Sequence, residues 1–263
     1  MLLNLNIISE NITFRLGRCR RMEDVRIFGV FDPSQIKCSD EALKESIDLD
    51  ERAKEQHLKE LEFFDKDVFL IGYVNIRSMK LHIQDVMDDD ELMKCEIIGL
   101  GETWLSESID VSPYFGNFVN GGRGKGVASL TRDAKDALKY NGIGYSILQL
   151  NIDKLTIIFV YLSDSACATE YIKDFTVMIG LSKQPTIIIG DVNFDSSSDN
   201  HPFKEFMTSR DFTQLVNKPT HLGGNKIDHV YANKQMEEMG LQIHHQPCYF
   251  SDHDKMFVAI HSM

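Results

Sequence analysis

The residues of this chain that most directly indicate chemistry are Asp191 and Asn193, which are separated by a single residue. They follow residues 186–189, an apolar run typical of a buried strand, and Gly190 gives the backbone room to turn at the strand's end. Held there, the carboxylate of Asp191 could take a proton or steer a water molecule, and the amide of Asn193 could donate hydrogen bonds to an anion. This pair suits hydrolysis of a phosphate ester, although Asp and Asn after a strand are also ordinary turn residues.

Polar residues also stand at the ends of other apolar segments, and six such endings occur along the chain. Besides the pair above they are Asn75, Glu102, Tyr161, Asp228 with His229, and Asp252 with His253. If these strand ends share one edge of a sandwich of two sheets, their side chains converge on a single cleft. Taken singly, each could be a solvated loop residue, but the six endings together favour one functional site.

The residue types favour distinct parts in a metal-assisted hydrolysis. Glu102 offers a hard oxygen ligand for Mg²⁺, and Asp252 could supply a second. His253 could contact the phosphate or transfer a proton, while Asp228 fixes its tautomer and raises its pKa. Three further side chains could donate hydrogen bonds to the phosphate as charge develops on it: Asn75, Tyr161 and Asn193.

The composition of the 263 residues limits the classes of protein to which the chain can belong. The length fits one large α/β domain, alone or with an extension, and 43% hydrophobic with 26% charged residues allows a full core and argues against wholesale disorder. A net charge of −12 argues against a broad basic surface for nucleic acid, and the candidate basic patch is confined to Arg123, Lys125 and Arg132. Five cysteines without a Cys-x-x-Cys spacing favour free thiols over a disulfide framework or a zinc site. No apolar run approaches the roughly 18 residues of a membrane span, and the first residues are a poor signal peptide.

Two regimes divide the chain. Residues 1–66 have an irregular pattern and are predicted to be an N-terminal extension that is partly helical or poorly ordered. From residue 67 to residue 263, predicted strands and helices alternate, and many strands with few helices favour two mixed sheets packed face to face with helices outside. The predicted helices include residues 79–94 and 168–181, and residues 151–154 are predicted to form a hairpin between two strands. This second region carries all of the candidate site residues.

The motifs resemble those of the endonuclease/exonuclease/phosphatase family, which includes DNase I-like nucleases and abasic-site endonucleases. The residues of these motifs are most similar to those of the endonuclease domains of non-LTR retrotransposons and related mobile elements. The matching segments are Asn75-Ile76-Arg77-Ser78-Met79, Glu102-Thr103-Trp104-Leu105, Gly190-Asp191-Val192-Asn193-Phe194-Asp195, Ile227-Asp228-His229-Val230-Tyr231 and Tyr249-Phe250-Ser251-Asp252-His253-Asp254. Together they cover roughly residues 68–263.

This resemblance implies a four-layer αββα sandwich and a phosphodiesterase that uses Mg²⁺ or Mn²⁺. In the family's pattern Glu102 binds the metal with Asn75 and Asp252 close by, and Thr220 corresponds loosely to a position that contacts DNA. Arg123 and Lys125 would add to the DNA-binding surface. Abasic-site enzymes have an acidic residue two places after the opening asparagine, and the presence of Arg77 there favours the mobile-element group.

The leading hypothesis is a DNA endonuclease that nicks one strand by in-line attack of water and leaves a 3′-hydroxyl. It implies a nuclear enzyme that acts on DNA as a monomer, without a membrane or an obligate protein partner. One alternative is the same chemistry on another phosphoester, as in an inositol or lipid phosphatase or an RNA deadenylase, because the shared motifs do not separate these substrates. Another alternative is a catalytically idle binding module.

Overall fold

A computed structural model gives the fold of the chain. It describes residues 63–64, 68–105, 117–120, 126–131, 136–152, 154–181, 184–197 and 200–261. The predicted extension therefore lies almost wholly outside the described residues, as do Arg123, Lys125 and Arg132, and the division of the chain after residue 66 stays a prediction. All elements given below belong to the unit Lys66–Met263.

The first sheet has six strands in the order β11-β12-β1-β2-β4-β3. Its strands are β1 (Phe69–Asn75), β2 (Ile97–Gly101), β3 (Asn117–Asn120), β4 (Ala128–Thr131), β11 (Leu241–Gln246) and β12 (Lys255–Ile260). The neighbours β1 and β2 run parallel, and the other pairs are antiparallel.

The second sheet also has six strands, in the order β5-β6-β7-β8-β10-β9. Its strands are β5 (Asp136–Gly142), β6 (Tyr145–Ile152), β7 (Leu155–Leu162), β8 (Thr186–Asp191), β9 (Phe212–Gln214) and β10 (Asp228–Asn233). Here β7 and β8 are the parallel pair. Ile152 pairs with Leu155, which confirms the predicted hairpin between β6 and β7.

Apolar side chains between the sheets form one core, which contains Ile71, Phe159, Ile187 and Val258. A second core lies on the outer face of the second sheet, where Phe175 and Phe203 belong to the helices α2 (Ala168–Leu181) and α3 (Pro202–Ser209). Because branched and aromatic residues occupy both faces of the central strands, these strands are apolar throughout.

Helices also cover the first sheet. The helix α1 (Met79–Met87) leads into a 3₁₀ helix, Leu92–Lys94, and a Cβ built on Gly72 of β1 would lie 3.0 Å from Cys95 Sγ and 3.2 Å from Leu92 Cδ2. A short helix, α4 (Lys234–Glu237), follows β10. The predicted sandwich of two mixed sheets with helices outside is confirmed. No helix among the described residues is long and apolar enough to cross a bilayer.

Candidate active site

Three strands of the second sheet bring polar side chains to the same end. Asp191, the last residue of β8, pairs in register with Tyr161 of β7 on one side and with Asp228 of β10 on the other. Asn75 ends β1 in the opposite sheet, and its Nδ2 donates a hydrogen bond to Asp191 Oδ2 at 2.8 Å. The two sheets therefore contribute to one site, as the shared polar endings predicted.

Gly190 permits this register through close approach to the neighbouring strand. It lies within β8, and a Cβ at this position would fall 1.8 Å from the carbonyl oxygen of Val160 in the parallel neighbour. No side chain fits in that gap, so glycine is required. The prediction that Gly190 provides room for a turn is wrong, because the turn comes after Asp191.

Asp191 is buried, with 1% of its surface exposed, and hydrogen bonds hold both of its oxygens. The backbone N–H of Asn193 donates to Oδ1 at 2.9 Å, and the Asn193 amide donates to Oδ2 at 3.3 Å. Burial and the neighbouring charge of Asp228 raise the pKa of Asp191 to about 7. A carboxyl group with this pKa can exchange a proton near neutral pH.

His253 faces Asp191 across the site and is bonded to Asp228. Its Nδ1 lies 2.9 Å from Asp228 Oδ2 and 3.1 Å from Oδ1, and its Nε2 lies 4.0 Å from Asp191 Oδ2. Burial lowers the pKa of His253, but the hydrogen bond and the charge of Asp228 outweigh it and raise the pKa to about 9. The ring is therefore protonated at neutral pH and presents an Nε2–H beside Asp191.

Thr220 fixes the backbone of Asp228 through a hydrogen bond. The backbone N–H of Asp228 donates to Thr220 Oγ1 at 3.0 Å, and the whole Thr220 residue is buried, with 0% exposed. The predicted contact of Thr220 with DNA does not fit this burial, because its hydroxyl faces the protein interior. In the structure Thr220 positions Asp228.

Tyr161 and Glu102 occupy the other side of Asp191. Burial, with the charges of Glu102 and Asp191 and a hydrogen bond to Glu102, raises the pKa of Tyr161 well above its ordinary value. Its hydroxyl therefore keeps its proton and can act as a donor. Glu102 Oε2 also accepts a hydrogen bond from Trp104 Nε1 at 3.3 Å.

Two side chains, those of Arg77 and His221, contact the Asp252 carboxylate. Its Oδ2 lies 2.6 Å from Arg77 Nη1 and 3.4 Å from His221 Nε2, while its Oδ1 is buried without a hydrogen-bond partner among the described residues. Partial burial opposes the charge of Asp252, but the Arg77 guanidinium, with the charge of His253, outweighs it and lowers the pKa. Asp252 is therefore ionised, and one of its oxygens lacks a partner.

Backbone strain is concentrated in this region. Four residues without the freedom of glycine have positive φ angles beside the site: Arg77 (55°), Glu102 (46°), Trp104 (51°) and Asn193 (52°). The left-handed conformation is costly for such residues and persists where surrounding contacts enforce it, often at functional sites. At Arg77 one such contact is the hydrogen bond from its N–H to Asn75 Oδ1, at 3.2 Å.

The Asn193 amide has a different role from the one predicted, and Asn75 shares its acceptor. The Nδ2 atom of Asn193 donates to the Leu162 carbonyl at 2.8 Å as well as to Asp191, and Nδ2 of Asn75 also donates to Asp191. The predicted donation from Asn193 to phosphate does not agree with this geometry, because both of its amide hydrogens have protein acceptors. Asn75 and Asn193 instead orient the Asp191 carboxylate.

Two groups of side chains have spacings suited to a cation. The ligand atoms of His221, Asp252 and His253 lie within 4.8 Å of one another, as do those of Asp191, Asp228 and His253. Two observations argue against coordination of a cation by the imidazoles. The raised pKa of His253 keeps its ring protonated. Nδ1 of His221 already accepts a hydrogen bond from the Gly223 N–H at 2.9 Å. The neutral His221 ring then carries its proton on Nε2, the atom that faces Asp252.

The carboxylates suit a hard cation better. The unpartnered, buried Oδ1 of Asp252 needs a donor or a cation, and Glu102 supplies another carboxylate at the same edge of the sandwich. The Asn75 Oδ1 atom accepts one hydrogen bond and retains a second lone pair. This oxygen donor set suits Mg²⁺ or Mn²⁺ by its chemistry, and the assignment of these three residues as ligands stays a prediction.

Several residues with clear roles were absent from the predicted site. Tyr73 is fully buried, and its hydroxyl accepts a hydrogen bond from the Asp191 N–H at 3.0 Å. Ser251 donates to the Asn75 carbonyl at 2.6 Å and accepts from the His253 N–H at 3.2 Å. Of these two, Ser251 lies within a recognised motif, whereas Tyr73 has no sequence signal because it lies inside an apolar strand. Burial lowers the pKa of His229 to about 4, so this neutral ring bonds the carbonyls of Phe194 and Lys226 and has a structural role.

No protein-family model and no curated protein matches the chain. Solved structures, however, include proteins of the same fold. The endonuclease domain of TRAS1, a telomere-specific non-LTR retrotransposon, has a TM-score of 0.57 at 14% identity, over 73% of this chain and 98% of that domain. A 3′-5′ exonuclease (NExo) from Neisseria meningitidis gives 0.59 at 14% identity over 73% and 99%, and an AP endonuclease from Archaeoglobus fulgidus gives 0.57 at 14% over the same shares. The chain therefore has the DNase I-like fold, which confirms the four-layer sandwich predicted from the motifs.

Proposed function

We propose that the protein is a metal-dependent phosphodiesterase that nicks one strand of DNA by in-line attack of water. One observation carries the proposal: two carboxylates and an imidazole, Asp191, Asp228 and His253, meet in a buried group whose pKa values are about 7 for Asp191 and about 9 for His253. At pH values between these two, a base and an acid coexist within 4.0 Å. The similarity of the fold to nucleases supports the same proposal.

The base in this scheme is Asp191. Its carboxylate takes a proton from the attacking water, while hydrogen bonds from Asn75 and Asn193 keep it aimed into the site. The water oxygen forms a bond to phosphorus as the bond from phosphorus to the 3′-oxygen breaks, and the departing 3′-oxygen takes a proton from solvent. This gives a 3′-hydroxyl and a 5′-phosphate.

The anionic phosphate is bound by groups that carry protons. His253 keeps Nδ1–H on Asp228 and presents Nε2–H to a phosphate oxygen, and Tyr161 donates its hydroxyl proton in the same region. Glu102 and Asp252, with the carbonyl oxygen of the Asn75 side chain, would hold Mg²⁺. When bound, that ion would polarise a phosphoryl oxygen as a Lewis acid.

Two variants test the assignment of residues. Glu102→Ala and His253→Ala should each abolish nicking of supercoiled plasmid in Mg²⁺, and circular dichroism should show an intact fold. Lys139→Ala is the matched control, because this exposed lysine lies on the edge strand β5. If Glu102→Ala and His253→Ala both nick as fast as the parent, the site is misassigned.

The substrate is tested by a panel of plasmid, polyadenylate and inositol phosphates, each with Mg²⁺. We expect the plasmid to be cleaved and the other two to remain. Cleavage of polyadenylate or inositol phosphates alone would instead support an RNA nuclease or a phosphatase with the same chemistry. Cleavage of none of them by folded protein, with no binding of Mg²⁺ or Mn²⁺, would support an idle binding module.

The motif sequences resemble those of non-LTR retrotransposon endonucleases, and Arg77 lies two places after the opening asparagine. Both features support a mobile-element origin and hence a nuclear site of action. Imaging of a tagged chain tests the location. We expect nuclear signal, and exclusion from the nucleus would contradict this part of the proposal.

A further inference from the structure

His221 lies in a loop that the proposed chemistry does not use. The loop is fixed against the segment that carries Asp252 and His253, because His221 and His253 form a β-bridge. In addition, the Leu222 N–H donates to the Asp252 carbonyl at 2.9 Å, and the Asp254 N–H donates to the Thr220 carbonyl at 2.7 Å. The backbone of Asp252 and Asp254, on either side of His253, is therefore tied to the His221 loop.

The ring of His221 is oriented by its own loop. The Gly223 N–H donates to Nδ1 at 2.9 Å, so Nδ1 carries no proton and the neutral ring is protonated on Nε2. That Nε2 lies 3.4 Å from Asp252 Oδ2. The loop thus places Nε2 beside one particular oxygen of Asp252.

A carboxylate needs such contacts if it is to present one oxygen in a fixed direction. The last torsion of an aspartate is broad and roughly two-fold, so an unrestrained Asp252 would sample a range of orientations. His221 Nε2 and Arg77 Nη1 both contact Oδ2, and Oδ1 is the atom left buried without a partner among the described residues. The two contacts therefore select which oxygen remains available.

We propose that His221 is a positioning residue whose Nε2–H holds Oδ2 of Asp252 so that Oδ1 faces the cation. The inference rests on the proposed function in so far as Asp252 is taken to bind a metal. It assigns His221 no contact with the substrate and no coordination of the ion. It explains why the loop orients the ring through Gly223 and why Oδ1 alone lacks a partner.

Two substitutions separate the roles of the two ring nitrogens. In His221→Gln the side-chain amide can place an N–H near the position of Nε2, whereas in His221→Asn the shorter amide can replace only the acceptor at Nδ1. Both are expected to fold, because the side chain is 25% exposed and the loop keeps its backbone bonds. Affinity for Mn²⁺ is measured by isothermal titration calorimetry at fixed pH, and plasmid nicking is measured separately.

The proposal predicts that His221→Asn binds Mn²⁺ about tenfold more weakly than the parent, as expected when a ligand loses its orienting partner, while His221→Gln stays within about threefold. Equal affinity of His221→Asn and the parent would overturn it, because the contact to Asp252 would then be unnecessary. Equal, large losses in both variants would also overturn it, because they would indicate that the ring itself is a ligand. Failure of the parent to bind Mn²⁺ overturns it as well.

Failure of the proposed function gives a different pattern. If the parent binds Mn²⁺ but does not nick plasmid, the DNA endonuclease proposal fails, and the two variants still decide the role of His221 by their Mn²⁺ affinities. If the parent nicks plasmid and both variants bind Mn²⁺ like the parent, the endonuclease proposal stands and the inference about His221 falls.

Discussion

Two charged groups of this protein, each with one cation and two carboxylates, differ in how deeply the carboxylates are buried. Under α1, Lys255 Nζ lies 2.7 Å from Asp89 Oδ2 and 3.1 Å from Glu91 Oε2. At the edge of the sandwich, the single imidazole of His253 lies between the carboxylates of Asp191 and Asp228, at 4.0 and 2.9 Å. We call the first the lysine group and the second the imidazole group.

The lysine group is satisfied and stable in its charge state. Asp89 Oδ1 also accepts a hydrogen bond from the Leu92 N–H at 3.0 Å, which ties the 3₁₀ helix to the group. Burial lowers the pKa of Lys255, but the hydrogen bond and charge of Asp89 outweigh it and raise the pKa. A lysine with a raised pKa holds its proton throughout the physiological range, so the group serves structure.

Both carboxylates of the imidazole group are buried, whereas the Glu91 side chain of the lysine group is 40% exposed, and this burial moves the pKa of Asp191 toward neutrality. The pKa of Asp191 rises to about 7 because it is buried and faces Asp228. Comparison of the two groups teaches that burial of charge alone does not mark a catalytic site. A buried charged group indicates a catalytic site when the arrangement of its charges lets a side chain exchange a proton near neutral pH.

The largest expected effect is that of Asp191→Asn on catalysis. We expect the rate constant for DNA nicking to fall by about 10²–10⁴-fold, the usual contribution of a general base. The free energy of unfolding should change little, because the loss of repulsion with Asp228 offsets the loss of an acceptor for the hydrogen-bond donors around Asp191. Nicking rates and urea denaturation measure the two quantities, and a rate within threefold of the parent would show that Asp191 is not the base.

Lys255→Met should lower stability and leave catalysis unchanged, the opposite of Asp191→Asn. It leaves Asp89 buried without its cation, so we expect the free energy of unfolding to fall by about 3–5 kcal/mol, while the folded fraction keeps its nicking activity. Urea denaturation checks the prediction against Lys139→Met, an exposed position on β5 where the change should stay within about 0.5 kcal/mol. Equal effects at the two positions would contradict a structural role for the lysine group.

The pH dependence of nicking distinguishes the imidazole group further. Asp191 must lose its proton, so activity should rise through about pH 7, and His253 must keep its proton, so activity should fall through about pH 9. In Asp228→Asn the alkaline limb should move to lower pH, because the hydrogen bond and charge of Asp228 are what raise the pKa of His253. A parent enzyme whose activity continues to rise above pH 9 would refute the role given to His253.

The smallest effect expected is at Thr220. Thr220→Val removes the acceptor for the buried Asp228 N–H and should cost about 1–3 kcal/mol in the free energy of unfolding. Thr220→Ser keeps the hydroxyl and serves as the control. If valine and serine have the same effect in thermal or urea unfolding, the hydroxyl does not support Asp228.

Local patterns predicted much of the fold. The apolar run at 186–189 is the strand β8, and the helix predicted over Ala168–Leu181 has those bounds in the structure. By contrast, β5 has exposed, mixed side chains without an apolar face, and it is held by backbone pairing to β6, which no local pattern reveals. The single helix predicted over residues 79–94 is instead α1 followed by a 3₁₀ helix, because Asp89 caps the Leu92 N–H and starts a new turn.

The site was predictable in its residue types but not in its internal bonds. Strand endings indicated that Asp191, Asp228 and His253 belong together, and the structure places them within 4.8 Å. The direct pairing of Asp191 with Asp228, and the use of the Asn193 amide on Asp191, follow from strand register and the left-handed backbone of Asn193. Such long-range geometry is not encoded in the spacing of residues along the chain.

Nicking in water enriched in ¹⁸O tests the central claim most directly. With Mg²⁺ present, in-line attack of water on phosphorus predicts one ¹⁸O atom in each new 5′-phosphate, an unlabelled 3′-hydroxyl, and little product from Asp191→Asn. Mass spectrometry of the nicked ends reads this outcome. A 3′-phosphate, an unlabelled 5′-phosphate, or equal product from Asp191→Asn would contradict the account.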